Sequence, residues 1–373
     1  MVYMVAFFSS MIFGYWATRI NPKTNRGLVF LCSAISVLIP SILAGLRDVS
    51  IGTDITAYVI SEFNIALNID SFSQYTKWIW EKETGYMLLV FTVAKIFGNI
   101  QWLLFFIEFI IMVCVYIGAW KFREKVSLPF LLMIYFLFFY NLSYNMIRQA
   151  ISMAIIFMAT SWLFEKRYVK YFVAIAIAML FHTTAFVGVI SFFIFWFLNS
   201  SHLIDNARAK NLRGYLIMIV IAIGCISLPY ITQFLVNSGI LSSRYLLYFE
   251  GDIVTSYTFE NIIYLIEIVL VLAFSRNLET QIENFAYYKV NLACTFFTLQ
   301  LSNTMLYGNR LSLYFAIINI LLLAKMPWMM QNRYNRGIFI SVTFAMFFVY
   351  WLYVYIINGA SDTYPYITFW QER

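Results

Sequence analysis

Apolar runs close to the length of a membrane-spanning helix recur along almost the whole of this 373-residue chain. A helix needs about 20 mainly apolar residues to cross the hydrocarbon core of a bilayer. Charged residues make up only 12% of the chain, against about 25% in soluble domains. The sequence therefore predicts an all-α, polytopic membrane protein with about 12–13 transmembrane helices, and it excludes water-soluble, disordered and fibrous proteins. The runs are 1–18, 27–44, 100–120, 127–142, 146–164, 168–181, 184–199, 212–230, 258–275, 287–303, 310–325 and 338–357, and a shorter run at 84–97 is either re-entrant or half of a span.

Few positions along the chain favour a boundary between domains. With 6 prolines and 15 glycines there is little room for a long linker or a separate soluble domain. We expect one integral membrane domain over residues 1–373, with a first large extracytoplasmic loop at 45–83 and a second at 231–257.

Most of the 25 lysines and arginines stand in small clusters between the apolar runs. Such clusters mark cytoplasmic loops in membrane proteins. All of them can be cytoplasmic in one topology if 84–97 does not cross; if it does, one basic loop must face outwards. The clusters are Arg19/Lys23/Arg26, Lys121/Arg123/Lys125, Lys166/Arg167/Lys170, Arg208/Lys210/Arg213, Arg276/Lys289 and Lys325/Arg333/Arg336.

Charge and cysteine patterns also limit the ligands. The formal charge is +7, but no block of five cations exists, so we expect no nucleic-acid partner. The four cysteines lie inside apolar runs without a C-x-x-C pair, and the chain has only two histidines. We therefore expect no zinc site. The sequence predicts no other metal site and no cofactor, although an acid in a loop could still bind a divalent ion.

Four isolated arginines fall where a predicted outer loop meets a span: Arg47, Arg148, Arg244 and Arg310. An arginine at membrane depth costs about 2.5–3.5 kcal/mol on insertion scales unless it snorkels or finds a partner. One interpretation is separate snorkelling side chains. The other is a common anion site, because the guanidinium fork fits phosphate oxygens, and a lipid diphosphate at the outer leaflet is an anion of suitable size.

Among the titratable residues on the predicted outer side, three are candidates for the catalytic base: Asp54, Glu83 and His182. Each acid either pairs with an arginine or acts as a base or sugar-hydroxyl ligand. His182 interrupts an apolar run, so it is either a structural histidine or a proton acceptor in an outward-facing cavity.

Tyrosines stand beside the charged positions at Tyr58, Tyr86 and Tyr245. Most tyrosines of such a chain belong to the interfacial aromatic belt. These three are also placed where they can stack on the faces of sugars.

The outer-face motifs resemble those of EpsG-like, Wzy-type polysaccharide polymerases. Five stretches match in order: Arg47-Asp48-x-x-x-Gly52-Thr53-Asp54-x-x-x-Tyr58, Glu83-x-Gly85-Tyr86, Arg148-Gln149-x-Ile151-x-x-Ala154-Ile155, Phe181-His182-Thr183-Thr184-Ala185 and Arg244-Tyr245. The resemblance implies a bacterial inner-membrane enzyme with a fold like the helical GT-C glycosyltransferases. Its reaction would transfer a glycan from undecaprenyl diphosphate to the non-reducing end of a lipid-linked repeat unit, on the extracytoplasmic side. Membrane lipids and a chain-length-regulating co-polymerase would be partners.

The chemistry of that reaction fits these residues. Arginines can stabilise the diphosphate charge that grows in the transition state, and the acceptor hydroxyl needs a base, for which His182, Asp54 and Glu83 are candidates. No Asp-x-Asp pair is present to chelate a divalent ion, which favours a metal-independent glycosyltransferase. Three rivals stay open: an O-antigen ligase, a flippase or other transporter of lipid-linked sugars, and a polytopic acyltransferase.

Overall fold

The computed structural model describes residues 1–79, 83–200, 207–240, 258–278, 281–305 and 308–371. Within these ranges the chain is helical, and no β-strand forms beyond one isolated antiparallel bridge between Arg47 and Thr368. The all-α, polytopic membrane fold predicted from the sequence is confirmed. The division into two compact units, residues 1–186 with 323–373 and residues 187–322, was not foreseen; the single membrane domain over 1–373 stays a prediction.

The first unit holds most of the helices that the apolar runs predicted. Its helices are α1 (Val2–Arg19), α2 (Arg26–Leu46), α3 (Ile60–Asn68), α4 (Phe72–Trp78), α5 (Thr84–Phe97), α6 (Ile100–Lys121), α7 (Leu128–Tyr135), α8 (Asn141–Ser143), α9 (Ile147–Phe164) and α10 (Tyr168–Phe181). Single π-helical turns precede α3 and join α7 to α8, and a 3₁₀ turn follows α10.

Among its described residues, the second unit contains four complete helices and most of a fifth. They are α11 (Val187–Leu198), α12 (Ala207–Asn237), α13 (Thr258–Leu278), α14 (Phe285–Leu299) and the greater part of α15 (Asn309–Met329). The end of α15, helix α16 (Arg333–Trp351) and the tail return to the first unit.

Six of the described helices are long and apolar enough to cross a membrane: Arg26–Leu46, Ile100–Lys121, Ile147–Phe164, Ala209–Asn237, Asn309–Met329 and Arg333–Ile357. Four shorter apolar helices add to them, including Thr84–Phe97. The total of about 12–13 spans, the topology in which 84–97 does not cross and the GT-C-like arrangement stay predictions.

Helix packing in the first unit runs along the chain. Helix α1 packs on α2, α2 on α6, α6 on α9, and α9 on α10. Ser10 and Ser36 join α1 to α2, because each hydroxyl donates to the other's backbone carbonyl, at 2.6 and 2.8 Å. Small hydroxyl residues let apolar helices approach and hydrogen-bond where no water competes.

Both predicted outer loops contain regular structure. In 45–83 the chain forms a π-turn at Ile55–Val59 and the helices α3 and α4. Helix α3 packs on α5, with Phe63 and Ala66 buried. In 231–257 helix α12 continues to Asn237, and residues 241–257 lie outside the described ranges.

Candidate active site

The carboxylate of Glu83 stands at the centre of a group of polar contacts in the first unit. Its Oε1 lies 2.6 Å from Nδ1 of His182 and accepts from the backbone N–H of Thr183 at 3.2 Å. Its Oε2 lies 3.2 Å from Nη1 of Arg148. Three residues from different parts of the chain, each a separate candidate in the sequence, therefore form one site.

Helix ends bring Glu83 and His182 together. Glu83 immediately precedes α5, and His182 immediately follows α10. Gly85 lies so close to α10 that a Cβ added there would stand 2.9 Å from the Cβ and 3.0 Å from the carbonyl oxygen of Leu180. Real Cβ atoms are not found at the shorter distance, so only glycine lets the two helix ends meet at this separation.

Burial strengthens these contacts. The side chains of Glu83, Arg148 and His182 are 8%, 14% and 17% exposed. Charge-assisted hydrogen bonds in such partly dry surroundings are stronger than in water. An ionised carboxylate can only accept, so in a neutral imidazole whose Nδ1–H donates to ionised Glu83, Nε2 is the acceptor nitrogen. Within the described parts of the chain, no hydrogen bond to Nε2 is found.

Two tyrosine rings hold the guanidinium of Arg148. Its central carbon lies 4.6 Å from the ring centroid of Tyr58 and 5.7 Å from that of Tyr86. The ring of Tyr86 is 1% exposed, so protein atoms cover it in this structure. Both rings thus orient Arg148, whereas the sugar-stacking role suggested for them stays a prediction.

Asp54 connects the first predicted outer loop, 45–83, to the start of α9. Its Oδ2 accepts from the hydroxyl of Tyr58 at 2.6 Å and from the backbone N–H of Ile147 at 3.2 Å. A carboxylate at a helix N-terminus satisfies an N–H that has no partner inside the helix. Burial, and then the Asp54 carboxylate, raise the pKa of Tyr58 well above its ordinary value, so the phenol keeps the proton that it donates.

A glycine with positive φ lets the loop that carries Asp54 approach α9 this closely. Gly52 has φ of +99°, and a Cβ there would lie 2.6 Å from the carbonyl oxygen of Tyr144. Residues other than glycine rarely adopt that backbone region. The segment that carries Asp54 can therefore lie against the chain just before α9.

Arg47 occupies a separate buried position in the same unit. It is 1% exposed, and its guanidinium carbon lies 3.5 Å from the ring centroid of Tyr144. Among the described residues, its Nε and Nη1 atoms have no hydrogen-bond partner. Backbone hydrogen bonds on either side of it, Asp48 N–H to Ile367 and Phe369 N–H to Leu46, hold this stretch against the C-terminal tail.

The other predicted site residues are not part of the first unit as the structure describes it. Arg310 is the second residue of α15 and belongs to the second unit. Arg244 and Tyr245 lie outside the described residues. The convergence of all four arginines therefore stays a prediction.

Two acids of the first unit that lie near arginine or tyrosine candidates were not identified from the sequence. Glu108 of α6 is 1% exposed, accepts from the hydroxyl of Ser143 at 2.8 Å, and lies within electrostatic range of Arg47. Glu62 of α3 lies within such range of Tyr75, whose pKa burial raises first and the Glu62 carboxylate raises further. The signal for Glu108 was present, because an acid inside an apolar run marks a functional or paired position.

No group of three or more His, Cys, Asp or Glu side chains that could hold a metal ion occurs among the residues that the structure describes.

The fold and this site define a polytopic helical membrane protein that presents an arginine, a glutamate and a histidine at adjoining helix ends. A family model described as EpsG family matches residues 29–368. The chain therefore belongs to the EpsG family, which is of the polysaccharide-polymerase type. No curated protein and no solved structure matches the chain.

Proposed function

We propose that this protein is a glycosyltransferase that polymerises repeat units of a surface polysaccharide at the outer face of the bacterial inner membrane. The donor is a glycan chain on undecaprenyl diphosphate, and the acceptor is the non-reducing end of a second lipid-linked unit. The observation that carries the proposal is the contact of Glu83 with both His182 and Arg148. Membership of the EpsG family supports the type of reaction.

His182 acts as the general base in this proposal. Glu83 holds Nδ1 protonated at 2.6 Å, which directs the lone pair of Nε2 towards the acceptor. The acceptor hydroxyl passes its proton to Nε2 as its oxygen attacks the anomeric carbon of the donor. The negative charge of Glu83 then stabilises the imidazolium that forms, as carboxylates do for histidine bases elsewhere.

Arg148 serves the leaving group. The bond between the anomeric carbon and the phosphate oxygen breaks, and its electron pair stays on the lipid diphosphate. A guanidinium already fixed by two tyrosine rings and Glu83 stabilises that charge without reorganising during the reaction. Tyr58 and Tyr86 are positioning residues, and Asp54 holds the segment of Tyr58 against the start of α9 rather than acting as the base.

Purified enzyme with lipid-linked repeat units tests these roles. His182→Ala is expected to lower turnover roughly 10²-fold or more, and Glu83→Gln by a comparable factor because the amide no longer fixes the histidine. Arg148→Lys keeps the charge but loses the planar fork, so turnover also falls. The exposed residue Lys77 supplies the control, since Lys77→Gln should change nothing. Normal turnover of His182→Ala would refute the base assignment.

Deletion of the gene separates polymerase from its rivals. Gel analysis of surface glycans should then show attached single repeat units. Loss of surface attachment would instead identify a ligase, and repeat units trapped in the inner leaflet would identify a flippase.

A further inference from the structure

A cavity of about 470 Å³ lies between α2 and α6, at the ends of these helices that carry basic residues. Its wall contains the exposed Arg26, from the start of α2, and the half-buried Arg123, which follows α6. Both belong to the clusters that predict the cytoplasmic side. This cavity shares no residue with the Glu83 site, and the proposed reaction does not use it.

Hydrogen bonds and a ring contact fix the side chains around Arg123 in the cavity wall. The guanidinium of Arg123 donates to the backbone carbonyl of Trp120 at 3.0 Å and stacks 4.5 Å from that residue's ring centroid. Tyr116 donates to the hydroxyl of Ser33 at 2.8 Å, which ties the two helices together beside it. These contacts hold Arg123 in a fixed position in the wall that Arg26 also lines.

The remaining wall is apolar and reaches the surface. Phe30 is 75% exposed and Ile117 is 40% exposed, while Val29, which also lines the cavity, is buried. An occupant must therefore present negative charge to the arginines and hydrocarbon to these side chains. Trp120 and Tyr116 are residue types that concentrate at the level of lipid headgroups.

We propose that this cavity binds an anionic phospholipid of the inner leaflet. The phosphate of the headgroup lies between Arg26 and Arg123, and the acyl chains extend along Phe30 and Ile117. Basic cavities between transmembrane helices on the cytoplasmic side recognise such headgroups through charge and hydrogen bonds. A soluble phosphate compound shares the anionic chemistry but leaves the apolar wall uncovered.

Native mass spectrometry of the purified full-length protein tests the proposal with two probes, phosphatidylglycerol and phosphatidylcholine. The protein is expected to retain phosphatidylglycerol selectively. Arg26→Gln should weaken that retention roughly fivefold, which corresponds to the contribution of one basic residue near an anionic lipid surface, and Arg123→Gln by a similar factor. Lys166→Gln/Lys170→Gln, which removes two exposed cations on the same predicted side, is the matched control and should retain phosphatidylglycerol normally.

Three outcomes would overturn the proposal. One is equal retention of both lipids, and another is unchanged phosphatidylglycerol retention in Arg26→Gln. Arg26 is exposed, so this variant decides the question even if Arg123→Gln, which loses the bond to Trp120, fails to fold. The third is displacement by glycerol 3-phosphate at the same concentration as the lipid, which would assign the cavity to a soluble phosphate compound.

Discussion

Arg47 and Arg19 both place a guanidinium over a tyrosine ring, but only Arg47 is buried. The distances to the ring centroids are 3.5 Å for Arg47 over Tyr144 and 5.0 Å for Arg19 over Tyr15. A cation–π contact is worth about 2 kcal/mol when desolvated and about 0.5–1 kcal/mol at an exposed site. Arg47→Lys should therefore lower the free energy of unfolding by about 1–2 kcal/mol, and Arg19→Lys by less. Denaturant titration of the detergent-solubilised protein measures both, and equal losses would contradict this interpretation.

Tyr366 gives the tail a defined response to alkaline pH. Its hydroxyl donates to the carbonyl of Leu43 at 2.8 Å, and burial raises its pKa to about 12. The folded state holds this proton more tightly than the unfolded state, where tyrosine titrates near pH 10. The contribution of the protonated Tyr366 hydroxyl to the free energy of unfolding is thus complete below about pH 10. It is lost as the pH rises towards about 12.

Thermal unfolding between pH 8 and pH 11 checks this response. Tyr366→Phe should have a lower Tm than the wild type at pH 8, because the hydrogen bond is gone. The difference between the two proteins should shrink as the pH rises, since the wild type loses the contribution that the variant already lacks. A difference that is constant over this range would show that Tyr366 does not titrate between the two states.

Individual site residues could be identified from the sequence, but their contacts could not. His182 stood out because it interrupts an apolar run, Arg148 because it is an isolated cation where a predicted outer loop meets a span, and Glu83 because it is an acid on the predicted outer side. Their grouping depends on α5 approaching α10 at Gly85, which is a property of three-dimensional packing. Asp54 remained a candidate base in the sequence because the residues around it do not show what its carboxylate binds. Its partner is the backbone N–H of Ile147, which lies far along the chain at the start of α9.

At the scale of elements, Gly85 controls the distance between α5 and α10. Gly85→Ala would push its new Cβ against the backbone and Cβ of Leu180, which no change of side-chain rotamer can relieve. We expect an overpacking loss of about 1–3 kcal/mol. Because an error of about 1 Å in placement can cost 10²-fold in rate, turnover with lipid-linked repeat units should also fall, by roughly 10- to 100-fold.

Gly27→Ala is the matched control for that variant. Gly27 lies in α2, and a Cβ there meets nothing within 4 Å. Alanine is favoured over glycine in a helix by up to about 1 kcal/mol, so this variant should be as stable as the wild type or more so, with unchanged turnover. Equal effects of the two substitutions would mean that the contact with α10 is unimportant.

Long helices followed from the apolar runs, whereas the helices of the 45–83 segment did not. Runs of about 20 apolar residues allow only helices inside a bilayer. In 45–83 the apolar residues are interrupted by polar ones, and the segment is too polar to span. The segment nevertheless has buried apolar residues at intervals of three or four, which is the period of a helix: Ile55, Val59, Phe63 and Ala66.

At the scale of the whole molecule, the clustered cations predict which side of the membrane each loop faces. The predicted cytoplasmic segments are 121–125, 165–170, 203–213 and 325–336. Single cysteines at the exposed positions Lys166 and Arg333, in a background without the four native cysteines, should react with a membrane-impermeant maleimide only after the cells are opened. A cysteine at the exposed position Lys77 should react in intact cells. Protection of that cysteine in intact cells would place Glu83 on the wrong side for the proposed reaction.

The tail contacts link the two ends of the first unit. Tyr3 donates to the carbonyl of Thr363, 360 positions away, and Tyr366 donates to Leu43, 323 positions away. A ribosome adds about 5–20 residues per second, so the carbonyl of Leu43 waits roughly 16–65 s for its partner to be made. The buried surroundings of Arg47 include the backbone of Ile367 and Phe369, so they form only after that part of the chain has been made. Until then a nascent chain holds Arg47 without its tail contacts.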